Sequence, residues 1–272
     1  MTIIVYGSNG YVGRKLCNIF DRAGLKYVKG NSRLENIQDV YNELNKHKPN
    51  NVFNLVDKSD INWCEDNKIE AIRVNVIGTI NLIDVCYKKG IHITNYIPSC
   101  IYNSINDNFS FKEDDTPNWN QTFYHKTKSI IETISKEYNN TLNLRINSPM
   151  CGDLDDPDNF ISILLKQNRV ADIPSSFTLI EDMLPISINM ALNGRIGTYN
   201  FTNPGFISPS EILGIYKFYV NKSIEINTFS VEQNCILDTS KIESFYNIPN
   251  IRFSIKRLFK KLSVTNGPLR TS

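Results

Sequence analysis

The first thirteen residues constrain the fold of this 272-residue chain more than any other stretch. A short apolar run, residues 2–6, leads directly into Gly-Ser-Asn-Gly-Tyr-Val-Gly, and Val12, Leu16, Ile19 and Phe20 then repeat at helical spacing. A strand, a glycine-rich turn and a helix in this order predict a dinucleotide-binding turn rather than a plain strand–helix connection. Its glycines allow a pyrophosphate to approach the backbone and the helix N-terminus. The predicted cofactor contacts are Gly7, Asn9, Gly10, Tyr11, Val12 and Gly13.

Strands and helices alternate through the first half of the chain. Further strands are predicted near 25–29, 51–56, 92–97 and 142–146, with helices near 34–47 and 73–89 between them. The second helix is expected to bury a stripe formed by Ile72, Val76, Ile80, Ile83 and Tyr87. This alternation predicts an α/β fold, a Rossmann-type doubly wound parallel sheet with right-handed crossovers.

The pattern changes near Pro149, where an acidic, turn-rich segment opens the second half. Helices are predicted near 159–167, 184–192, 210–220 and 254–262, and a strand near 198–202. We therefore expect a nucleotide-binding Rossmann domain over residues 1–149. A smaller substrate-binding lobe over 150–272 should close a cleft at the cofactor edge, with part of 184–202 returning to the sheet.

Two loops refine the cofactor prediction. A fold that prefers NAD usually carries an acidic residue about 20 positions after the glycines, to hold the ribose 2′-hydroxyl. Ser32 and Arg33 stand there instead, a hydroxyl and a cation suited to a 2′-phosphate, although a solvated loop arginine is the simpler alternative. These residues favour NADPH. The polar turn after the third strand is expected beside the cofactor's ribose or nicotinamide, which makes Asp57 a further predicted contact.

Tyr124 and Lys128 lie four residues apart at the start of a predicted helix, so they share one of its faces. A nearby ammonium favours the phenolate, which predicts that the pKa of Tyr124 is lowered toward neutral pH. By itself a Tyr-x-x-x-Lys pair is common on exposed helices. It becomes informative after a nucleotide-binding strand, turn and helix, where it predicts a proton-transfer site.

Composition narrows the class of partner. The formal net charge is +2, with 41% hydrophobic and 21% charged residues, which predicts neither a nucleic-acid nor a membrane-surface partner. The six cysteines are scattered without a C-x-x-C pair, and Met1 leads straight into a strand, so we expect a reduced, cytoplasmic protein. The three histidines have no ligand spacing, and no metal site is expected.

Seven strings, together with the glycine turn, span most of the chain as far as about residue 215. They are Trp63-Cys64-Glu65, Asn75-Val76-x-Gly78-Thr79, Asn95-Tyr96 with Cys100-Ile101, Phe111-Lys112-Glu113-x-Asp115-Thr116-Pro117-Asn118, Phe123-Tyr124-x-Lys126-Thr127-Lys128, Leu184-Pro185-Ile186-Ser187-Ile188 and Tyr199-Asn200-Phe201-Thr202-Asn203-Pro204-Gly205. Together they resemble the extended short-chain dehydrogenase/reductases. Within that superfamily they are most similar to the plant-type bifunctional 3,5-epimerase/4-reductases that make UDP-L-rhamnose, and next to the dTDP-4-keto-rhamnose reductases.

The resemblance implies a nucleotide-sugar substrate, UDP-4-keto-6-deoxy-D-glucose, reduction by NADPH, and a homodimer. It assigns Tyr124 as the proton donor to O4 and Lys128 as the holder of the nicotinamide ribose. By position, Cys100 is the acid/base of epimerisation, although a cysteine at a strand end is more often an inert core residue. The implied catalytic residues are Tyr124, Lys128, Cys100 and Ser99, and the implied substrate contacts are Cys100, Asn147 and Asn159.

Departures from the family pattern leave alternatives open. The superfamily's catalytic Ser or Thr would stand at Pro98, and Ser99 can replace it only if the strand end twists. The family's second epimerisation residue, a lysine, aligns with Ile163, and Lys166 lies three positions on. These departures favour a 4-reductase acting on an already epimerised sugar. A non-catalytic NADP-binding regulatory subunit is a third possibility, and the sequence does not choose UDP over dTDP.

Overall fold

The computed structural model of the protein describes residues 2–104, 109–230 and 234–265. Its strands are β1 (Ile3–Tyr6), β2 (Tyr27–Lys29), β3 (Asn51–Asn54), β4 (His92–Pro98), β5 (Thr141–Ile146), β6 (Val170–Ala171), β7 (Gly197–Asn200) and β8 (Thr228–Phe229). The α-helices are α1 (Tyr11–Arg22), α2 (Ile37–His47), α3 (Ile61–Asp66), α4 (Lys68–Ala71), α5 (Thr79–Lys88), α6 (Phe123–Ser135), α7 (Phe160–Lys166), α8 (Ile180–Leu192), α9 (Pro209–Tyr219), α10 (Ser240–Glu243) and α11 (Ile251–Thr265). A π-helix (Ile72–Gly78) joins α4 to α5, and a 3-10 turn (Ser99–Ile101) follows β4.

Six strands form the main sheet in the order β2-β1-β3-β4-β5-β7. β1 pairs in parallel with β2 and β3, and β3 pairs in parallel with β4, with Ile4 opposite Val28 and Val52. Every residue of β1 and β3 is buried, because these strands have neighbours on both sides and helices pack against the sheet. The predicted Rossmann-type parallel sheet is confirmed. None of the helices in the described ranges has the length and apolarity needed to cross a membrane.

The chain divides into two compact units, and each is assembled from separate stretches of sequence. The first comprises residues 1–102, 113–145 and 184–199, and the second comprises 103–112, 146–183 and 200–272. The first unit therefore contains the β7 segment as well as the N-terminal half, whereas a single cut after residue 149 would separate them. β6 and β8 form a separate two-stranded parallel sheet in the second unit.

Each unit has its own apolar core. In the first unit, β1, β3 and β4 contribute residues such as Ile4, Val52 and Ile93, which pack against side chains of α2 and α5. In the second unit, residues of α7, α9 and α11 surround Phe177 and Ile207. The sequence pattern does not predict α3, α4, α10, β6 or β8, because elements of two to six residues are too short to show a periodicity.

The expected apolar stripe from 72 to 87 is partly wrong. Val76 and Ile83 are buried as predicted, but Ile72 is 38% exposed and Tyr87 is 49% exposed. For Ile72 the reason lies in the π-helix, whose i→i+5 hydrogen bonds widen the turn and shift the phase of this residue relative to α5. Tyr87 lies near the end of α5 itself, where its ring packs edge-on against that of Tyr138. The wider turn also buries Asn75, a polar residue with no exposed surface.

Candidate active site

The glycine-rich turn between β1 and α1 has a shape that larger residues cannot adopt. Gly7 has φ +76°, and a Cβ there would lie 2.5 Å from the carbonyl carbon and oxygen of Leu55. A Cβ on Gly13 would lie 2.1 Å from the carbonyl oxygen of Gly7, whereas one on Gly10 would keep 3.4 Å from the same atom. The Gly10 amide donates to that carbonyl at 3.0 Å, which closes the turn at the N-terminus of α1. This cradle of bare backbone fits a dinucleotide pyrophosphate.

The loop after β2 is held by a carboxylate that the sequence does not single out. Glu43 of α2 accepts hydrogen bonds from the amides of Asn31 and Ser32, at 2.9 and 3.0 Å, and from the hydroxyl of Tyr6 at 2.8 Å. Burial alone would raise the pKa of Glu43, but these hydrogen bonds outweigh it, so the pKa is lowered. Glu43 is therefore an anion at neutral pH, fixed beneath the loop that was predicted to bind a 2′-phosphate.

Ser32 and Arg33 differ in how readily each side chain could bind a 2′-phosphate. The Ser32 hydroxyl donates to the carbonyl of Asp39 at 3.1 Å. The Arg33 side chain is 85% exposed, and its guanidinium lies 3.5 Å from the carboxylate of Glu35. An ion pair this exposed is weak, about 0–1 kcal/mol, so Arg33 can exchange Glu35 for a phosphate at little cost.

Tyr124 and Lys128 lie in the first two turns of α6, which Thr122 caps by accepting a hydrogen bond from the amide of His125. Both residues are nearly buried, with 5% of each exposed. The carboxylate of Asp57, in the loop after β3, joins them. The Tyr124 hydroxyl donates to Asp57 Oδ2 at 2.7 Å, and Lys128 Nζ lies 2.6 Å from Asp57 Oδ1.

This arrangement reverses the predicted effect on Tyr124. Burial raises the pKa of Tyr124 well above its ordinary value, and the negative charge of Asp57 raises it further. The predicted lowering of this pKa toward neutral pH is wrong, because burial and the charge of Asp57, which also pairs with the Lys128 ammonium, outweigh the effect of Lys128. Tyr124 is therefore protonated at neutral pH and is suited to donate a proton rather than to accept one.

Buried groups fix the loop that carries Asp57. Asn75 in the π-helix accepts from the amide of Lys58 at 2.9 Å and donates to the carbonyl of the same residue at 3.1 Å. The thiol of Cys64 in α3 donates to that carbonyl at 3.3 Å, and Asn54 accepts from the amide of Val56 at 3.2 Å. Since the main chain is held on both sides of Asp57, its carboxylate has a defined position.

Ser99 and Cys100 are neighbours in the 3-10 turn after β4, but their side chains differ in exposure. Ser99 is fully buried, whereas Cys100 is partly exposed and packs in an apolar cluster with Tyr124. The negative form of Cys100 would raise the pKa of Tyr124, which reflects how close the two groups are. The structure therefore brings Cys100, but no exposed part of Ser99, to the phenol. The catalytic role of Ser99 stays a prediction.

The two predicted substrate contacts, Asn147 and Asn159, lie in the second unit. The Asn147 amide group donates to the hydroxyl of Ser175 at 3.1 Å and to the carbonyl of Ser176 at 2.7 Å. Asn159 is fully buried and caps α7, and its amide donates to the carbonyls of Cys151 and Asp153. Both side chains organise loops of this unit, and their contact with a substrate stays a prediction. Among the described residues, no three His, Cys, Asp or Glu side chains are grouped to hold a metal.

The sequence matches the model of the NAD dependent epimerase/dehydratase family over residues 3–167. The chain belongs to this family. The match includes the glycine turn, Asp57, Cys100, Tyr124 and Lys128, so the geometry described above lies within the shared region.

Two curated relatives from Arabidopsis thaliana are similar over most of this chain. The bifunctional dTDP-4-dehydrorhamnose 3,5-epimerase/dTDP-4-dehydrorhamnose reductase is 38% identical over 238 residues, 85% of this chain and 79% of that protein. A trifunctional UDP-glucose 4,6-dehydratase/UDP-4-keto-6-deoxy-D-glucose 3,5-epimerase/UDP-4-keto-L-rhamnose-reductase is 38% identical over 241 residues. That alignment covers 86% of this chain but 36% of the trifunctional protein.

Solved structures extend the likeness to nearly the whole chain. The UDP-rhamnose synthase of Acanthamoeba polyphaga mimivirus superposes with a TM-score of 0.90 at 29% identity, over 96% of this chain and 99% of that one. The dTDP-4-dehydrorhamnose reductase of Bacillus anthracis, solved with NADP, superposes with a TM-score of 0.82 at 17% identity, over 96% of this chain and 98% of that one. At that identity the second likeness shows the fold alone.

Proposed function

We propose that this protein is a bifunctional 3,5-epimerase/4-reductase that converts UDP-4-keto-6-deoxy-D-glucose to UDP-L-rhamnose with NADPH. One observation carries the proposal. The phenol of Tyr124 lies beside the partly exposed thiol of Cys100 and shares the carboxylate of Asp57 with Lys128. The chain that carries this arrangement is 38% identical to an enzyme with both activities. The 29% identical mimivirus UDP-rhamnose synthase supports the same assignment.

Epimerisation begins with the 4-ketone, which makes the hydrogens on C3 and C5 acidic. A base that removes such a hydrogen leaves an enolate with its negative charge on O4. A hydroxyl donor aimed at O4 stabilises that charge. We assign this donor to Tyr124, whose raised pKa keeps the proton on the phenol, and we assign the exchange of the carbon-bound hydrogens to Cys100.

Reduction then needs a hydride at C4 and a proton at O4. When bound, NADPH supplies the hydride, and the protein supplies geometry and protons. Tyr124 gives its proton to O4, and Lys128 holds the cofactor's ribose beside the phenol. The turn from Gly7 to Gly13 binds the pyrophosphate, and Arg33 binds the 2′-phosphate.

Two alternatives rest on other residues. A 4-reductase without epimerase activity is favoured by Pro98 and by Ile163, which occupies an exposed position of α7 where the resemblance expects a lysine. Lys166, on the same helix, is also exposed and can take that role only if the substrate reaches it. A regulatory subunit that binds NADP without catalysis is disfavoured by the buried Tyr124 and Lys128 and their shared carboxylate, which a binding module does not need.

Incubating the protein with NADPH and UDP-4-keto-6-deoxy-D-glucose in D2O, followed by NMR of the sugar, distinguishes these functions. The proposed enzyme yields UDP-L-rhamnose with deuterium at C3 and C5. A reductase alone consumes NADPH only with UDP-4-keto-L-rhamnose and incorporates no deuterium at these carbons. A regulatory subunit gives neither product and refutes the proposal. Repeating the assay with the dTDP sugar measures the preference for the base.

We further propose that the protein acts as a homodimer in the cytoplasm. All six cysteines lie among the described residues and are thiols rather than disulfides, which is typical of proteins in the reducing cytoplasm. Light scattering coupled to size-exclusion chromatography should give twice the 31.2 kDa chain mass.

A further inference from the structure

Asp57, in the loop after β3, contacts both members of the Tyr124–Lys128 pair. Its two carboxylate oxygens divide between two partners, with Oδ2 accepting the Tyr124 proton at 2.7 Å and Oδ1 lying 2.6 Å from Lys128 Nζ. The side chains of Lys128 and Asp57 are 6% and 30% exposed, so the carboxylate is the more open end of the ion pair. A buried ammonium without a partner is costly, which gives this contact energetic weight.

Hydrogen bonds with buried asparagines fix the main chain on both sides of Asp57. Asn75 holds the amide and the carbonyl of Lys58, the next residue, and Asn54 holds the amide of Val56, the residue before it. The carboxylate therefore does not depend on a loose surface loop. Moving Asp57 away would leave the phenol and the ammonium without their shared acceptor.

We propose that Asp57 is a positioning residue for the reductive step, holding the Tyr124 proton on the phenol and balancing the charge of Lys128 until the proton is given to O4. This inference rests on the proposed function for its catalytic consequence, but not for its effect on Tyr124 itself. It differs from the sequence-based interpretation, in which Asp57 contacts the cofactor directly.

The sign of the effect follows from the groups that face Tyr124. A negative charge disfavours the phenolate and a positive charge favours it. Burial is the first cause of the raised pKa of Tyr124, and Asp57 is the second, so Asp57 outweighs Lys128 in the resting protein. The titratable groups around the phenol are Asp57 from the loop after β3, Cys64 from α3, Cys100 from the turn after β4, and His125 and Lys128 from α6.

The test replaces the charge while keeping the shape. In Asp57→Asn the amide oxygen can still accept from Lys128, but the negative charge is gone. Phenolate absorbance is recorded against pH and corrected with Tyr124→Phe, so that only this phenol is followed, without substrate or cofactor. Because a like charge within about 4–6 Å shifts a titration by about 1–3 pH units, the midpoint should fall by at least about one pH unit.

Three variants control this measurement. Asp60→Asn removes the same charge three residues away, where the side chain caps α3 by accepting from the Trp63 amide, and should leave the midpoint nearly unchanged. Asp57→Glu keeps the charge and should restore most of the wild-type midpoint. Lys128→Gln removes the opposite charge and should move the midpoint to higher pH. An unchanged midpoint in Asp57→Asn, or equal shifts in Asp57→Asn and Asp60→Asn, overturns the proposal.

Cofactor binding separates this role from direct contact. NADPH is an anion, so Asp57→Asn should bind it at least as tightly as the wild type. A tenfold or greater loss of affinity overturns the proposal in favour of a cofactor ligand. In the reductase assay, the fall of activity at alkaline pH should move to lower pH by the same amount as the absorbance midpoint. If the absorbance shifts and no reductase activity is found in any variant, the proposed function fails while the role of Asp57 toward Tyr124 stands.

Discussion

Replacing Gly13 by alanine tests whether the glycine turn has the tight geometry that dinucleotide binding requires. The new Cβ would lie 2.1 Å from the carbonyl oxygen of Gly7 and 2.9 Å from Ser8 Cα, both backbone atoms that cannot rotate away. Ordinary contacts begin near 3.4 Å, so the turn or α1 must move by more than about 1 Å. Overpacking of this kind costs about 1–3 kcal/mol, and the helix propensity of alanine returns about 1 kcal/mol.

Because the displacement is large, we expect a cost near the upper end, so that Gly13→Ala lowers the free energy of unfolding by about 2 kcal/mol, measured from urea midpoints at constant slope. The displaced turn should also lose at least one hydrogen bond to the cofactor's phosphates. A hydrogen bond to a charged group contributes about 1.5–3 kcal/mol, so NADPH affinity should fall by about tenfold or more in a fluorescence titration.

Gly10→Ala is the matched control, since its Cβ would keep 3.4 Å from the same carbonyl oxygen. Gly10 is the N-cap of α1, so this change should lower the free energy of unfolding by no more than about 1 kcal/mol. Wild-type NADPH affinity in Gly13→Ala, or a wild-type free energy of unfolding in that variant, would refute the close approach of helix and turn as the reason for the third glycine.

Three further substitutions test the proposed roles of individual side chains. Arg33→Ala should weaken NADPH by about 1.5 kcal/mol, the low end for a charge-assisted contact because the side chain is exposed, and leave NADH unchanged. Glu35→Gln frees Arg33 and should not weaken NADPH; equal losses for both cofactors in Arg33→Ala would exclude a 2′-phosphate contact. Tyr124→Phe should bind NADPH normally but reduce the 4-keto sugar several orders of magnitude more slowly than the wild type. A reduction rate near that of the wild type would show that Tyr124 is not the proton donor. Cys100→Ser should lose deuterium uptake from D2O at C3, C5 or both while still reducing UDP-4-keto-L-rhamnose, because serine holds its proton far more tightly. Uptake at both carbons at the wild-type rate would leave Cys100 a core residue.

The Rossmann-type sheet could be predicted from the sequence because its signals are local. The order of strand, glycine turn and helix appears within twenty residues, and the later strands and helices repeat the same alternation. The pairing of Tyr124 with Lys128 on one face of α6 is also local, because it follows from helical spacing. Asp57 could be named from its place after β3, but its partner could not.

The tertiary structure decided the charge state of the site. The hydrogen bond between Tyr124 and Asp57 joins residues 67 positions apart, and the sequence has no periodicity that spans such a distance. Burial and the charge of Asp57 raise the pKa of Tyr124, whereas its spacing to Lys128 in the sequence predicts a lowered one. The anchoring of the β2–α2 loop by Glu43 and the burial of Ser99 were likewise set by packing. A pKa depends on burial and on the distances between charges, and both arise only when distant segments of the chain are packed together.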